Sequence, residues 1–406
     1  MDQYRRILTE PEDFWSEKVK LVSWSQAPSW VLDSDSPPFV PLFPDGRLNT
    51  CFNALDRHIA AGNGGRLALI FDSPGTGAKQ RFTYADLHER VSGFAAVLRR
   101  LGVRKGDAIV IYLPIIPEAV IAMLACARIG ATHSFLVGDV APREIAARID
   151  DAKPKLVLSA SCGIELPHVV PYKPRLDQAI ELAAHTPDFC VIKQRHEASA
   201  DLLNSRDLDW DFVVDSGVAG YADCVDVEAP DALYIVNDPG PGGPSGLVCD
   251  NGGHAVTLAW AMRDVFDIGT GDVWWATADV GCVVGQPYIV YAPLLAGATT
   301  LLCEGSAIGA PDDAVGLWRV VAEYGVTGLF TTPGALRAIR RAAPDASLLD
   351  GHDLSTLKRI SLAGERLDPE TSRWAANVLG VPIVNAWART ETRVRVPLHM
   401  LTSATV

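Results

Sequence analysis

Several common functional signatures are missing from this chain. Its eight cysteines, Cys51, Cys126, Cys162, Cys190, Cys224, Cys249, Cys282 and Cys303, stand singly, with no CxxC pair and no histidine at metal-ligand spacing. That excludes a zinc ribbon or a disulfide scaffold and predicts reduced, mostly buried thiols in a cytoplasmic protein. There is no excess of basic charge: 36 Lys+Arg face 49 Asp+Glu, a net charge of −13. No overall positive field exists to draw in nucleic acid or an anionic membrane, so small molecules are the expected partners. The N-terminus runs into the acidic segment Thr9 to Glu17 rather than an apolar signal core. The longest apolar stretch, Ala108 to Ala131, is divided by Pro114, Pro117 and Glu118, so no membrane span is expected. What the chain does have is 406 residues, 48% of them hydrophobic, enough for a large core and two or three domains.

Trp15, Trp24 and Trp30 lie among prolines and acids, which predicts an irregular N-terminal extension anchored by aromatics. A helix begins at Thr83 with capping-box spacing to Asp86, and Leu87, Val91, Phe94, Leu98 and Leu101 form its apolar stripe up to Gly102. Strand and helix patterns then alternate: strand 108–113, helix 117–129, strand 133–138, helix 142–152 and strand 155–160. Residues 162–229 read as a less regular excursion of mixed charge. Alternation resumes with strand 233–236, helix 254–266, strands 273–278 and 299–303, helix 314–323 and strand 326–330. Near-continuous apolar strands in this alternation indicate an α/β fold with parallel sheets flanked by helices, in two related halves.

The chemistry-bearing candidates are loops after strands. Asn237 to Gly246 is rich in glycine and follows the strand at 233–236, a position where backbone N–H groups can approach phosphate oxygens. It matches neither GxxxxGK[ST] nor GxGxxG, and Pro239, Pro241 and Pro244 remove donors, so from composition a plain surface turn is the stronger reading. Ser245 lacks the GxSxG spacing of a nucleophile elbow. Gly364-Glu365-Arg366 and Trp387 to Thr392 follow further strands, and a Thr-Glu pair such as Thr390-Glu391 can offer a hydroxyl to phosphate and a carboxylate to Mg²⁺; an ordinary solvated loop fits the spacing equally well. The nine histidines include no HExxH, and His58, His88 and His254 fall at helical positions, so none is assigned to catalysis.

Together the segments "LNTCFNALDRHIAAG", "PIIPEAVIAMLACARIGATHS", "RIDDAKPKLVLSASCGIE", "VWWATADVGCVVGQPYIVYAPLLAGATTLL", "LFTTPGALRAIR" and "LAGERLDPETSRWAANVLGVPIVNAWARTET" resemble the AMP-forming acyl-CoA synthetases of the adenylate-forming superfamily, near the short-chain propionyl-CoA and acetyl-CoA synthetases. The resemblance runs from Leu48 to Thr392. It implies an N-terminal extension over 1–62, a partial AMP-binding domain over 63–406 and no C-terminal lid domain. It also implies ATP, Mg²⁺ and CoA as reaction partners of a small carboxylate: the carboxylate attacks the α-phosphate of ATP, and the CoA thiol then displaces AMP. By the same resemblance Gly240, Gly242, Gly243 and Gly246 hold the β- and γ-phosphates, and Gly364, Glu365, Arg366, Trp387 and Thr390 serve the nucleotide. Thr390 and Glu391 are the catalytic pair, with Glu391 on the metal, and Cys282, Val283, Val284, Thr332 and Ala388 line the acyl pocket.

The chain departs from the family pattern near these positions. The loop Thr-Ser-Gly-Thr-Thr-Gly-x-Pro-Lys-Gly keeps Gly242, Pro244 and Gly246 but loses its hydroxyls and its lysine. Two tryptophans of the acyl wall are Cys282 and Ala388, which implies a larger pocket, and Gln286 stands for a histidine. The arginines expected after "SASCGIE" fall near His168 and Val169. Two readings follow: a propionate- or acetate-CoA ligase, or a catalytically inactive homologue, either a binding or partner protein or a decaying product. The second accounts for the loop changes and the missing domain together and is the one these residues favour. A lid supplied by another chain is a third possibility, and oligomeric state is left open.

Overall fold

The computed structural model describes residues 2–32, 41–166, 168–215, 220–238, 245–277, 284–305, 313–345, 347–387 and 399–401. In chain order the strands of its two large sheets are β1 (Leu67–Ser73), β2 (Ala78–Thr83), β3 (Ala108–Tyr112), β4 (Thr132–Leu136), β5 (Leu156–Ala160), β6 (Phe189–Lys193), β7 (Asp207–Asp209), β8 (Ala232–Asp238), β9 (Ser245–Asp250), β10 (Val273–Ala276), β11 (Thr299–Cys303), β12 (Gly328–Thr331), β13 (Arg359–Leu362), β14 (Ile383–Trp387) and β15 (His399–Leu401). The first sheet has the order β7-β6-β5-β3-β4-β8-β9 and the second β15-β14-β13-β12-β10-β11-β1-β2. Pairing is parallel except at the edges, where β8–β9, β14–β15 and β1–β2 are antiparallel. The expected α/β architecture with parallel sheets is therefore observed.

Alternation of side chains explains why the strands read as continuous apolar runs. Ile109 and Ile111 face the main core between the sheets, whereas Val110 and Tyr112 face a second core with Ile145, Ile149 and Leu176. In the other sheet Trp274 faces the main core and Trp275 a third cluster with Trp318, Leu336 and Ile360. Both faces are covered, so both alternating sets are apolar. The helix Pro117–Ile129 lies in the main core, and all of its residues but Glu118 are buried. Proline opens it and Gly130, at φ +71°, closes it in a left-handed conformation that disfavours a side chain. Among the described residues no helix is long and apolar enough to cross a membrane.

The helix Tyr84–Arg100 carries the expected capping box: the Thr83 hydroxyl accepts the Asp86 N–H at 3.1 Å and the Asp86 carboxylate accepts the Thr83 N–H at 2.9 Å. Phe14 and Trp15, in the helix Pro11–Lys18, pack edge-on against Trp260. Trp24 packs on Phe43, but Trp30 is exposed, so the aromatic anchoring predicted from three tryptophans rests on two of them.

The region 162–229 is more regular than expected. It contains the short hairpin Cys162–Glu165 with His168–Pro171, the helix Tyr172–Leu182, and β6 and β7, which extend the first sheet in parallel beyond β5. Asp207 in β7 is buried and pairs with Lys173 at 2.9 Å and Arg206 at 2.8 Å. Such buried ion pairs bring charge into sheet positions and hide them from hydrophobic pattern reading.

Candidate active site

Parallel registration aligns three strand ends in the second sheet. Thr331 of β12 pairs with Leu362 of β13, and Leu362 with Asn385 of β14. Thr332, the segment Ala363 to Arg366 and Trp387 therefore lie along one carboxyl edge, where open α/β sheets bind ligands.

Each of these loops is shaped by local chemistry. Thr332 is the N-cap of the helix Pro333–Ala342; its hydroxyl accepts the Ala335 N–H at 3.2 Å, and proline occupies the first turn. One residue earlier, Thr331 accepts a hydrogen bond from Thr277 at 2.9 Å, which ties the end of β12 to the residue following β10. Gly364 has φ +104°, with nothing within 4 Å of where a Cβ would sit. Backbone strain rather than crowding therefore explains a glycine there. Glu365 and Arg366 are exposed. Glu365 is ion-paired with Arg337, whose guanidinium also lies 3.9 Å from Asp368, the N-cap of the helix Pro369–Leu379. Arg337 thus orients the 364–368 turn, a role its position in a helix interior did not announce.

Of the other candidates, Gly246 lies in β9 and is exposed, and Val284 is half-buried against the main core. Trp387 is the last residue of β14. Gly240, Gly242, Gly243, Cys282, Val283, Ala388, Thr390 and Glu391 lie outside the described residues.

The glycine-rich segment is shorter as a loop than the sequence suggested. Asn237 pairs with Gly246 and Asp238 with Ser245 in the β8–β9 ladder, leaving 239–244 to join the two strands. Hairpin pairing engages backbone groups that the longer loop would have offered to a phosphate. Its strand is parallel to β4, as expected for a loop at a carboxyl edge.

A cavity at a strand edge lies elsewhere. From β3 the chain crosses to β4 on one side and then to β5 on the other, so the crevice at their carboxyl ends is a topological switch point. A cavity of about 830 Å³ opens there, lined by Pro114, Gly138, Glu165, His168, Arg175 and Glu304 among others. Arg175 is ion-paired with Asp139, and Asp139 and Glu144 also line the cavity. Glu304 is buried; it accepts a hydrogen bond from Ser73 at 2.9 Å and is paired with Arg195, which joins the carboxyl ends of the two sheets. Gln286, beside the segment 278–283, is fully buried, and both of its amide atoms lack a partner among the described residues. Neither the cavity nor the Arg195–Glu304 link carries a local sequence signal, because each joins residues more than a hundred positions apart.

The chain matches two family models, two curated relatives and a solved structure. The family model described as "AMP-binding enzyme" matches residues 56–404, and "Acetyl-coenzyme A synthetase N-terminus" matches residues 1–54. The chain is 45% identical over 387 residues to acyl-CoA synthetase short-chain family member 3, mitochondrial, of Homo sapiens, covering 95% of this chain and 56% of that protein. It is 40% identical over 390 residues to propionate–CoA ligase of Escherichia coli (strain K12), covering 96% of this chain and 61% of the ligase. The structure of acetoacetyl-CoA synthetase from Streptomyces lividans aligns at TM-score 0.85 and 23% identity, over 98% of this chain and 62% of that one, which speaks to the fold. The chain spans less than two thirds of the length of each of these proteins.

Proposed function

Because the chain belongs to the AMP-binding enzymes, among the short-chain acyl-CoA synthetases, we propose that it activates a short-chain carboxylate with ATP to an acyl adenylate and passes the acyl group to CoA. The observation that carries this reading is the registered carboxyl edge of β12, β13 and β14, which brings Thr332, Gly364 to Arg366 and the end of β14 at Trp387 to one edge. Gly364, Glu365 and Arg366 serve the adenine, and Trp387 and Thr390 the rest of the nucleotide. Gly240, Gly242, Gly243 and Gly246 face the β- and γ-phosphates. Cys282, Val283, Val284, Thr332 and Ala388 bound the acyl chain. Thr390 hydrogen-bonds phosphate, and Glu391 supplies a carboxylate of the kind that a hard cation such as Mg²⁺ takes, the ion in turn neutralising phosphate charge. Registered loops of this kind contribute by holding carboxylate and α-phosphate in line, so positioning and electrostatics dominate the rate.

CoA is a doubtful co-substrate: its nucleotide would meet the 830 Å³ cavity at the switch point, where His168 and Arg175, the latter paired with Asp139, face the acidic Glu144, Glu165 and Glu304, a lining that holds phosphates weakly. The relatives' names lend the non-catalytic alternative no support over a ligase. The test is ATP–pyrophosphate exchange with Mg²⁺ and acids from acetate to octanoate, on a sample shown to be folded. Acid-dependent exchange, strongest for short acids, is the expected result; absence of exchange with every acid would leave a non-catalytic homologue.

A further inference from the structure

Cys51 and Cys224 are 173 positions apart in sequence. The fold brings them together: their sulfurs and a carboxylate oxygen of Asp56 all lie within 4.8 Å of one another. Cys51 is fully buried at the start of the helical segment 50–63, whereas Cys224 is half-buried in an extended stretch, 220–226, without helix or strand. Cys224 also lines a pocket of about 230 Å³ together with Trp24, Leu48, Asn49, Phe52 and Asp226, which brings a small reagent up to this residue; its sulfur donates to Asp56 at 3.7 Å.

The surroundings decide between two chemistries. Two thiols and a carboxylate are a plausible ligand set for a soft divalent cation. Here, however, both oxygens of Asp56 are already engaged: Arg128 donates to them at 2.8 and 3.0 Å, and His88 lies 3.1 Å from one. Burial alone would raise the Asp56 carboxyl, but its hydrogen bonds to His88 and Arg128 bring it down to about 2, so it stays a carboxylate committed to that pair. The Arg128 guanidinium also reaches Cys51 Sγ at 3.7 Å and donates to the Ala222 carbonyl at 2.6 Å. A cation bound here would have to displace a buried arginine or sit against its charge. A disulfide is neutral and leaves the Asp56–Arg128 pair intact.

We propose that Cys51 and Cys224 form a dithiol modification site, converted to an intramolecular disulfide by hydrogen peroxide that enters through the pocket beside Cys224. Cys224 Sγ attacks one peroxide oxygen; the O–O bond breaks, a sulfenic acid forms and, with the thiol proton, the leaving hydroxide departs as water. Cys51 Sγ then attacks the sulfenic sulfur, the S–O bond breaks, and the Cys51 proton leaves with hydroxide as a second water. Two thiols are oxidised by two electrons and one peroxide is reduced. The guanidinium of Arg128 lies 3.7 Å from Cys51 Sγ, beside the sulfur that acts in the second step. The hydrogen bond to Cys51, followed by burial and the charges of Cys51 and Asp56, holds the Cys224 thiol above its ordinary range, which slows the first step; Cys51 is fully buried, so Cys224 is the residue the peroxide meets and Cys51 is the resolving partner. Closing the sulfurs from within 4.8 Å to bonding distance, about 2.05 Å, requires movement of the chain around them. The product ties the helical segment at Cys51 to the 220–226 stretch.

The test treats the full chain with stoichiometric hydrogen peroxide, blocks remaining thiols and maps peptides without reduction. A linked Cys51–Cys224 peptide that dithiothreitol reverses is expected, with the unfolding temperature raised in the oxidised form and restored by reduction. Cys51→Ser should leave a sulfenic acid at Cys224 that dimedone traps, and Cys224→Ser should abolish both products while keeping the circular dichroism of the parent. Linkage through other cysteines, oxidation of Cys224 to the sulfinic acid without linkage in the parent protein, or one equivalent of zinc retained through purification and lost in both variants would each overturn the proposal.

Discussion

Acidification from pH 7.5 to 5 should cost this fold about 4 kcal/mol, because two imidazoles are buried in their neutral form. His133, in β4, is fully buried; its Nε2 lies 2.7 Å from the Tyr291 hydroxyl, and its ring stacks near Tyr234. Burial pushes its pKa down to about 3. His58 lies 2.9 Å from the Leu294 carbonyl, and burial, assisted by the charge of Arg57, lowers it to about 4. In the unfolded chain both titrate near 6.5. Their contribution is whole above that value, falls as pH drops because the unfolded state takes up protons first, and stops changing below the folded pKa values. At pH 5 each unfolded imidazole is about 1.5 units below its pKa, or roughly 2 kcal/mol. Carboxylates held low, such as Asp56, lose their contribution only below the ordinary carboxylate range, so the two windows separate. Urea unfolding at the two pH values measures the loss, and His133→Phe should remove about half of it, since one imidazole no longer titrates. Unchanged stability across the interval, or a variant with the full loss, would refute the argument.

Four further outcomes follow from particular contacts. Asp238→Ser combined with Ser245→Lys, which returns a hydroxyl and the lysine to the glycine-rich segment, should tighten ATP binding by calorimetry at least tenfold, on ~1.5–3 kcal/mol for a charge-assisted hydrogen bond. Ala388→Trp should shift acid-dependent exchange toward acetate and propionate, with longer acids losing roughly 10–200-fold in kcat/KM. Glu165→Arg, which reverses one charge in the switch-point cavity, should strengthen CoA binding, with the gain shrinking as salt rises. Arg128→Ala should destabilise the protein by up to about 3 kcal/mol in denaturant titrations, because the half-buried charge of Asp56 would lose its arginine and keep only His88 as an ionisable partner.

The sequence alone carried whatever is decided within a dozen residues. The Thr83–Asp86 box, the proline that opens the helix at 117 and the glycine that closes it at 130 are local chemistry, and they appear where expected. So do the apolar runs of β3, β5 and β11, because strands covered on both faces need no polar alternation. Recognition of the family was equally local, since it rests on short segments kept in order. Elements stabilised by distant charge were not legible: β7 hides Asp207 by pairing it with Lys173 and Arg206, so its charge resembled a loop. Nor was sheet membership, for β1 and β2, early in the chain, close the second sheet by pairing β1 with β11 some 230 residues later. The same holds for the candidate site. Gly364 and Thr332 could be read from a turn and a cap, but the alignment of their strand ends, the Arg195–Glu304 link, the switch-point cavity and the meeting of Cys51 with Cys224 exist only once both sheets are packed. Local propensity selects elements, but which distant elements pair is settled by burying their apolar faces together, and no window of sequence contains that choice.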